Sequence, residues 1–129
     1  MAKKTLNIVE SAYRAVMEEQ DDTILWLLAA MQAAGAEHTV VLRGNAVSYA
    51  VAGQGAPALA VGDWKQTEPP KMDRDVDDLV QKRKISVYVV EEDLVQRGIE
   101  KRELIAGVKP LSRAALPGMC AEHTIVSHW

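Results

Sequence analysis

One thiol, Cys120, and the arginines that follow apolar runs, Arg14, Arg43 and Arg113, carry most of the chemistry this chain offers. A cysteine thiolate is a nucleophile and a carrier of sulfane sulfur. His123, three residues on, would lower its pKa if the imidazolium reached the sulfur. Cys120 stands between Met119 and Ala121, however, and a cysteine among small apolar residues is more often a half-buried packing group. Arginine offers a planar fork of donors suited to carboxylate, phosphate or persulfide-bearing partners. With Asn45 and Glu91 in matching segments, Arg14, Arg43 and Arg113 form a candidate ligand-binding edge; the plainer reading is solvated loop residues in ordinary salt bridges. Cys120, His123 and His128 cannot close a structural zinc site without ligands from elsewhere, so no metal is expected. The Asp73, Asp75, Asp77 alternation lacks the central glycine and final glutamate of a calcium loop and reads as an acidic helix start. Gly53-Gln54-Gly55 has no third glycine opening a helix, and no cofactor is expected.

The elements that would position these groups follow from periodicity and punctuation. Thr5 to Val9 is a short apolar strand candidate, with a loop at Glu10 to Arg14. Asp21-Asp22-Thr23 supplies N-cap residues for a helix over Ile24 to Met31, and Gly35 stops it. That helix is apolar nearly all round, which predicts cover on more than one side, with a second subunit as the simplest source. Thr39 to Leu42 is a buried strand, Ala46 to Ala52 a short helix, and Gly53 to Lys71 a long irregular segment carrying Trp64. Trp64 is read either as a lid or partner anchor or as a loop residue folded back on the domain. Met72, Val76, Leu79 and Val80 recur at helical spacing, with acidic residues at the start and Lys82-Arg83-Lys84 after the end, as the dipole favours. Val87 to Val90 runs into Glu91-Glu92-Asp93 and a helix closed by Gly98. Val108 to Leu111 is a strand that Pro110 confines to an edge or an end. Ser112 caps a short helix ended by Pro117-Gly118, and Thr124 to Val126 is the last strand.

Short apolar strands separated by helices predict an α/β fold: a single three-layer domain over residues 1–129 with a mostly parallel sheet of about five strands. In such a sheet ligands gather at the strand carboxyl ends, here Glu10 to Arg14, Arg43 to Asn45, Val90 to Glu92, Ser112-Arg113 and His128-Trp129. Cys120 precedes the last strand and so falls at the opposite, amino end.

The segment from Ile85 to Ile99, ISVYVVEEDLVQRGI, resembles the matching part of the DsrE/DsrF/DsrH (TusD/TusC/TusB) sulfur-relay proteins. It is nearest to the DsrH/TusB type, which keeps a VYxxxEDxxxRG-like segment and often ends in tryptophan, as Trp129 does here. The resemblance implies the same α/β fold and a place in transfer of persulfide sulfur, in sulfur oxidation or tRNA thiolation. In the sulfur-carrying type a cysteine stands eight residues before the closing glycine; counting back from Gly98 gives Val90. The resemblance therefore implies a non-transferring or accessory subunit that positions sulfur-carrier partners. The alternative is a small-molecule or anion-binding α/β protein that uses the Arg14/Arg43/Arg113 edge.

Bulk properties agree with a globular chain. It has 129 residues, 48% of them hydrophobic and 26% charged, enough for one core. A net charge of −3 offers no basic stripe for phosphates, so direct nucleic-acid binding is not expected. A single cysteine fits a reducing compartment. Met-Ala-Lys-Lys gives way at once to Asn7 and Glu10, unlike a secretory signal, and the run Ile24 to Met31 is far short of a membrane span. A cytoplasmic homo-oligomer is the expectation.

Overall fold

The computed structural model describes residues 3–12, 22–55, 57–67, 69 and 71–129. The chain lays down β1 (Lys4–Val9), α1 (Thr23–Ala33), β2 (Glu37–Leu42), a 3₁₀ turn (Gly44–Ala50), β3 (Ala60–Val61), β4 (Trp64–Lys65), α2 (Met72–Gln81), β5 (Ser86–Val90), α3 (Glu91–Gln96), β6 (Lys109–Leu111), a second 3₁₀ turn (Arg113–Ala115), α4 (Leu116–Ala121) and β7 (Ile125–His128). Five strands make one sheet in the order β6-β5-β2-β1-β7. Every pairing in it is parallel, with Asn7 opposite Val40, Ile8 opposite His128, Val41 opposite Tyr88 and Val90 opposite Leu111. All five carboxyl ends therefore open on one edge, as the α/β reading requires.

The two faces are covered unequally. Val9, Val40, Leu42, Val87 and Val89 pack against Leu25 and Leu28 of α1, Val76 and Leu79 of α2, and Tyr49 of the first 3₁₀ turn. The other face holds a smaller cluster of Leu6, Ile8, Val41 and Val90, closed by Leu116 at the start of α4, with Met119 and Cys120 at its margin. Strands buried on both faces read as continuous apolar runs, which is why Val87 to Val90 shows no alternation.

The start of α1 is fixed as its sequence predicts. Asp22 accepts the backbone N–H groups of Ile24 and Leu25 at 2.9 and 3.2 Å, satisfying two donors left open by the helix. The same carboxylate accepts the Tyr49 hydroxyl at 2.8 Å, and the Asp22 N–H donates to Asp75 at 3.0 Å. Asp73 accepts the N–H groups of Gly53 and Gln54. The acidic start of α2 is thus an anchor for neighbouring backbone, more than a solvated face. On α1 itself Leu25 and Leu28 are buried while Trp26 and Met31 stay exposed, so the apolar outer side has no cover within the chain's described residues.

Three expectations change. The segment Gly53 to Lys71 contains a small antiparallel ladder, β3 with β4, turned by Gly62-Asp63. Gly62 has φ +60°, the value a two-residue II′-type turn needs at its first position. Trp64 lies on this hairpin and is 39% exposed. The helix expected over Ala46 to Ala52 is a 3₁₀ turn ending at Ala50. Pro117-Gly118 does not end the helix after Ser112, whose side chain makes no cap bond; it sits in the first turn of α4, where proline loses no hydrogen bond. β6 is an edge strand, which accommodates Pro110. Among the described residues no helix is long and apolar enough to cross a membrane.

Candidate functional site

The carboxyl edge holds two polar groups that meet at Gly44. The chain runs β1, β2, β5, β6 in one direction across the sheet and returns to place β7 on the far side of β1. The strand order reverses between β1 and β7, the location where open parallel sheets form a ligand crevice. There His128 Nε2 lies 2.6 Å from Glu10 Oε2, with both side chains substantially exposed. A carboxylate so placed orients the imidazole, as for a histidine that takes or gives protons. Backbone bonds frame the pair: the Trp129 carbonyl accepts the N–H groups of Glu10 and Ser11 at 2.9 and 3.2 Å, and the Trp129 N–H donates to the Ile8 carbonyl at 2.9 Å.

The second group is built around Asp93, in the first turn of α3 and 5% exposed. Its carboxylate accepts the Gly44 N–H at 2.8 Å through one oxygen and the Arg113 guanidinium through the other. Arg97, one turn on, donates to the Asp93 carbonyl and, with two nitrogens, to Asn45 Oδ1 at 3.0 and 3.2 Å. Burial pushes the Asp93 pKa up, but the Gly44 N–H, the Arg113 bond and the charges of Arg113 and Arg97 outweigh it and hold the carboxyl below its usual value. Glu92 accepts the Arg113 backbone N–H with both oxygens, at 3.0 and 2.9 Å, and that bond lowers its pKa as well. Gly44 joins the two groups. It has φ +58°, and a Cβ there would stand 2.9 Å from Glu10 Cγ.

The sequence-predicted residues are placed as follows. Arg43, Asn45, Glu91 and Arg113 all sit on the carboxyl edge. Arg113 is committed to Asp93 and not to Glu91, which is exposed and makes no ion pair among the described residues. Asn45 is held by Arg97. Arg43 is half-buried and has no side-chain hydrogen bond or ion pair among the described residues. Arg14 lies outside the described residues. Cys120 is half-buried on α4, against the sheet's thinner face. Its neighbour His123 places Nδ1 2.7 Å from the Met119 carbonyl and Nε2 3.0 Å from Thr39 Oγ1, so both ring nitrogens are engaged away from the sulfur. Asp93 and Arg97 were missed as site residues because an acidic helix start explains itself through the helix dipole. Their spacing of four, one helical turn, was the available signal.

The whole chain matches the crystal structure of the ychN protein from E. coli, with a TM-score of 0.73 over 100% of both chains at 16% identity. The two share the α/β fold with its five-stranded parallel sheet. Neither a family model nor a curated protein sequence matches the chain. At that identity the likeness concerns the path of the backbone, and the roles of individual edge residues rest on their own geometry.

Proposed function

We propose that this chain is a single-domain, cytoplasmic DsrE/DsrF/DsrH-like protein of sulfur metabolism, nearest the DsrH/TusB type. In this reading it serves persulfide relay as an accessory subunit that positions a sulfur carrier and does not itself carry sulfur. The observation that carries the reading is Val90. It ends β5 on the carboxyl edge, where the resemblance implies the acceptor cysteine, and its side chain is 1% exposed within the smaller apolar cluster. A valine there holds no sulfur. Cys120 is no substitute, since it is half-buried at the margin of the smaller apolar cluster and its nearest histidine is engaged elsewhere. What the edge retains is recognition chemistry, in Arg43, the Glu10–His128 pair and the Asp93 network.

Intact-mass spectrometry after incubation with a persulfide donor tests this directly. Wild-type protein is expected to keep its mass. A gain of one sulfur atom that disappears in Cys120→Ser would make Cys120 an acceptor and overturn the accessory role.

The reading also includes self-association. Trp26 and Met31 on α1 are 59% and 42% exposed, an apolar surface that favours burial against another subunit. Light scattering on the eluting protein is expected to report a closed oligomer; a clean monomer at all concentrations would remove this part of the proposal.

A further inference from the structure

Trp129 is held by a hydrogen-bond relay that begins at a buried histidine. His38, the second residue of β2, is 5% exposed, and its backbone N–H donates to Gln32 Oε1 at 2.9 Å. Its Nδ1 lies 2.9 Å from Asn7 Nδ2, and its Nε2 is buried with no hydrogen-bond partner among the described residues. Asn7 lies on β1 and is 1% exposed. Its Nδ2 also faces the carbonyls of Thr39 and Thr5 at 3.3 and 3.4 Å, and its Oδ1 accepts the Trp129 indole N–H at 3.3 Å. An indole N–H only donates and a carbonyl only accepts, so these partners fix which end of the amide points where. Asn7 must therefore donate to His38 Nδ1, and Nδ1 must accept. The single proton of the neutral ring then sits on Nε2. A second proton has only Nδ1 to occupy, where it confronts the Asn7 amide.

We propose that His38 is a proton-operated latch on Trp129 and a positioning residue for the Glu10–His128 edge. Neutral His38 holds the Asn7 amide in the orientation that binds the Trp129 indole. Protonated His38 needs an acceptor at Nδ1, which Asn7 supplies only by turning its oxygen inward, and its Nδ2 then opposes the indole N–H. Trp129 is released from its side-chain anchor. The consequence reaches the edge because the Trp129 carbonyl carries the N–H groups of Glu10 and Ser11, and the preceding residue is His128. This last step rests on the reading of that edge as the site; the latch itself does not.

The surroundings give the direction. Among the described residues the polar side chains bonded to His38 are Asn7 at its ring and Gln32 at its backbone N–H, both neutral; the Lys4–Glu37 pair on the same two strands is exposed. His123 meets Thr39 on the opposite face of the sheet. Around Trp129 the titratable groups among the described residues are Glu10 and His128. Burial holds the His38 pKa below its ordinary value, so the ring is neutral at neutral pH and charges only as pH falls below the ordinary imidazole range.

Two-dimensional NMR of the full chain, labelled with nitrogen-15 and titrated from about pH 7.5 to about pH 4.5 around the ordinary imidazole value, tests the latch. The Trp129 indole resonance is expected to shift with the same midpoint as the His38 ring, with loss of exchange protection at the Glu10 and Ser11 amides. His38→Gln should flatten that transition, and His128→Gln should leave it in place. A His38 titration that leaves the indole unmoved, or a transition that survives His38→Gln, overturns the proposal. Loss of the transition in His128→Gln also overturns it, by assigning the change to the exposed pair. Should His38→Gln lose its sheet resonances, Asn7→Ala cuts the relay instead, and the indole must then show its released position at neutral pH. None of these readouts depends on sulfur transfer, so failure of the latch and failure of the accessory role remain separate results.

Discussion

Asp93→Ala is expected to lower the unfolding free energy by about 3 kcal/mol, the cost of breaking a buried, hydrogen-bonded charge pair from one side. The carboxylate is buried and serves both the Gly44 N–H and the Arg113 guanidinium. Alanine leaves the first donor without its acceptor in a tight place, since Gly44 already packs against Glu10. Arg113 is half-exposed and loses less, because water can take over its hydrogen bonds. Asp93→Asn keeps a carbonyl oxygen for one donor and should cost about half as much. The same residue sets an acid response. Its folded pKa lies below the unfolded one, so its contribution is complete above the ordinary carboxylate value and is lost as pH falls through the lower folded value. Glu92 works in the same direction. Urea titrations at neutral pH and in mild acid measure both effects. Asp93→Ala should show a smaller loss of stability on acidification than wild type. A loss below about 1 kcal/mol at neutral pH, the range of an exposed pair, would remove Asp93 from the frame of the edge.

Why was Arg113 legible as an edge residue while its partner was not? Strand ends are marked by where apolar runs stop, so Leu42-Arg43 and Leu111-Ser112 announce themselves. Parallel pairing then brings those ends together without further information. The partner depends on how α3 is rotated about its axis, and Glu91, Glu92 and Asp93 look alike in sequence. Only packing, with Leu94 turned into the core, sets Asp93 inward and leaves Glu91 outside. The β3–β4 hairpin was hidden for another reason. Two residues per strand carry no periodicity, and the Gly62-Asp63 turn was the only local mark. Proline in α4 misled because a helix start and a helix stop both tolerate it; position relative to the first turn decides, and the 3₁₀ turn before Leu116 moved that start by several residues. The His38 relay lies further still from sequence, since Asn7, His38 and Trp129 come together only through the parallel register of three strands.

Unequal cover of the sheet bears on the remaining prediction. Val90 points into the thinner face, where Leu116 and the short α4 are the only helical cover among the described residues. Val90→Cys should therefore fold, at a cost of about 1 kcal/mol for the volume removed, and should place a thiol at the strand end that is shielded by Leu116. Sulfur uptake from a persulfide donor is then expected to be slow in Val90→Cys and at least about tenfold faster in Val90→Cys with Leu116→Ala, since a reactive thiol must be reached as well as ionised. Both variants are made on Cys120→Ser so that a single sulfur atom in the intact mass reports position 90 alone. Uptake as fast in the single variant as in the double would mean that the edge opens without trimming Leu116. No uptake in a well-folded double variant would break the correspondence between Val90 and the acceptor position, and with it the reason for assigning this chain an accessory role. The outcome turns on a physical distinction: β5 ends on the carboxyl edge, but the side chain at that end is buried in core.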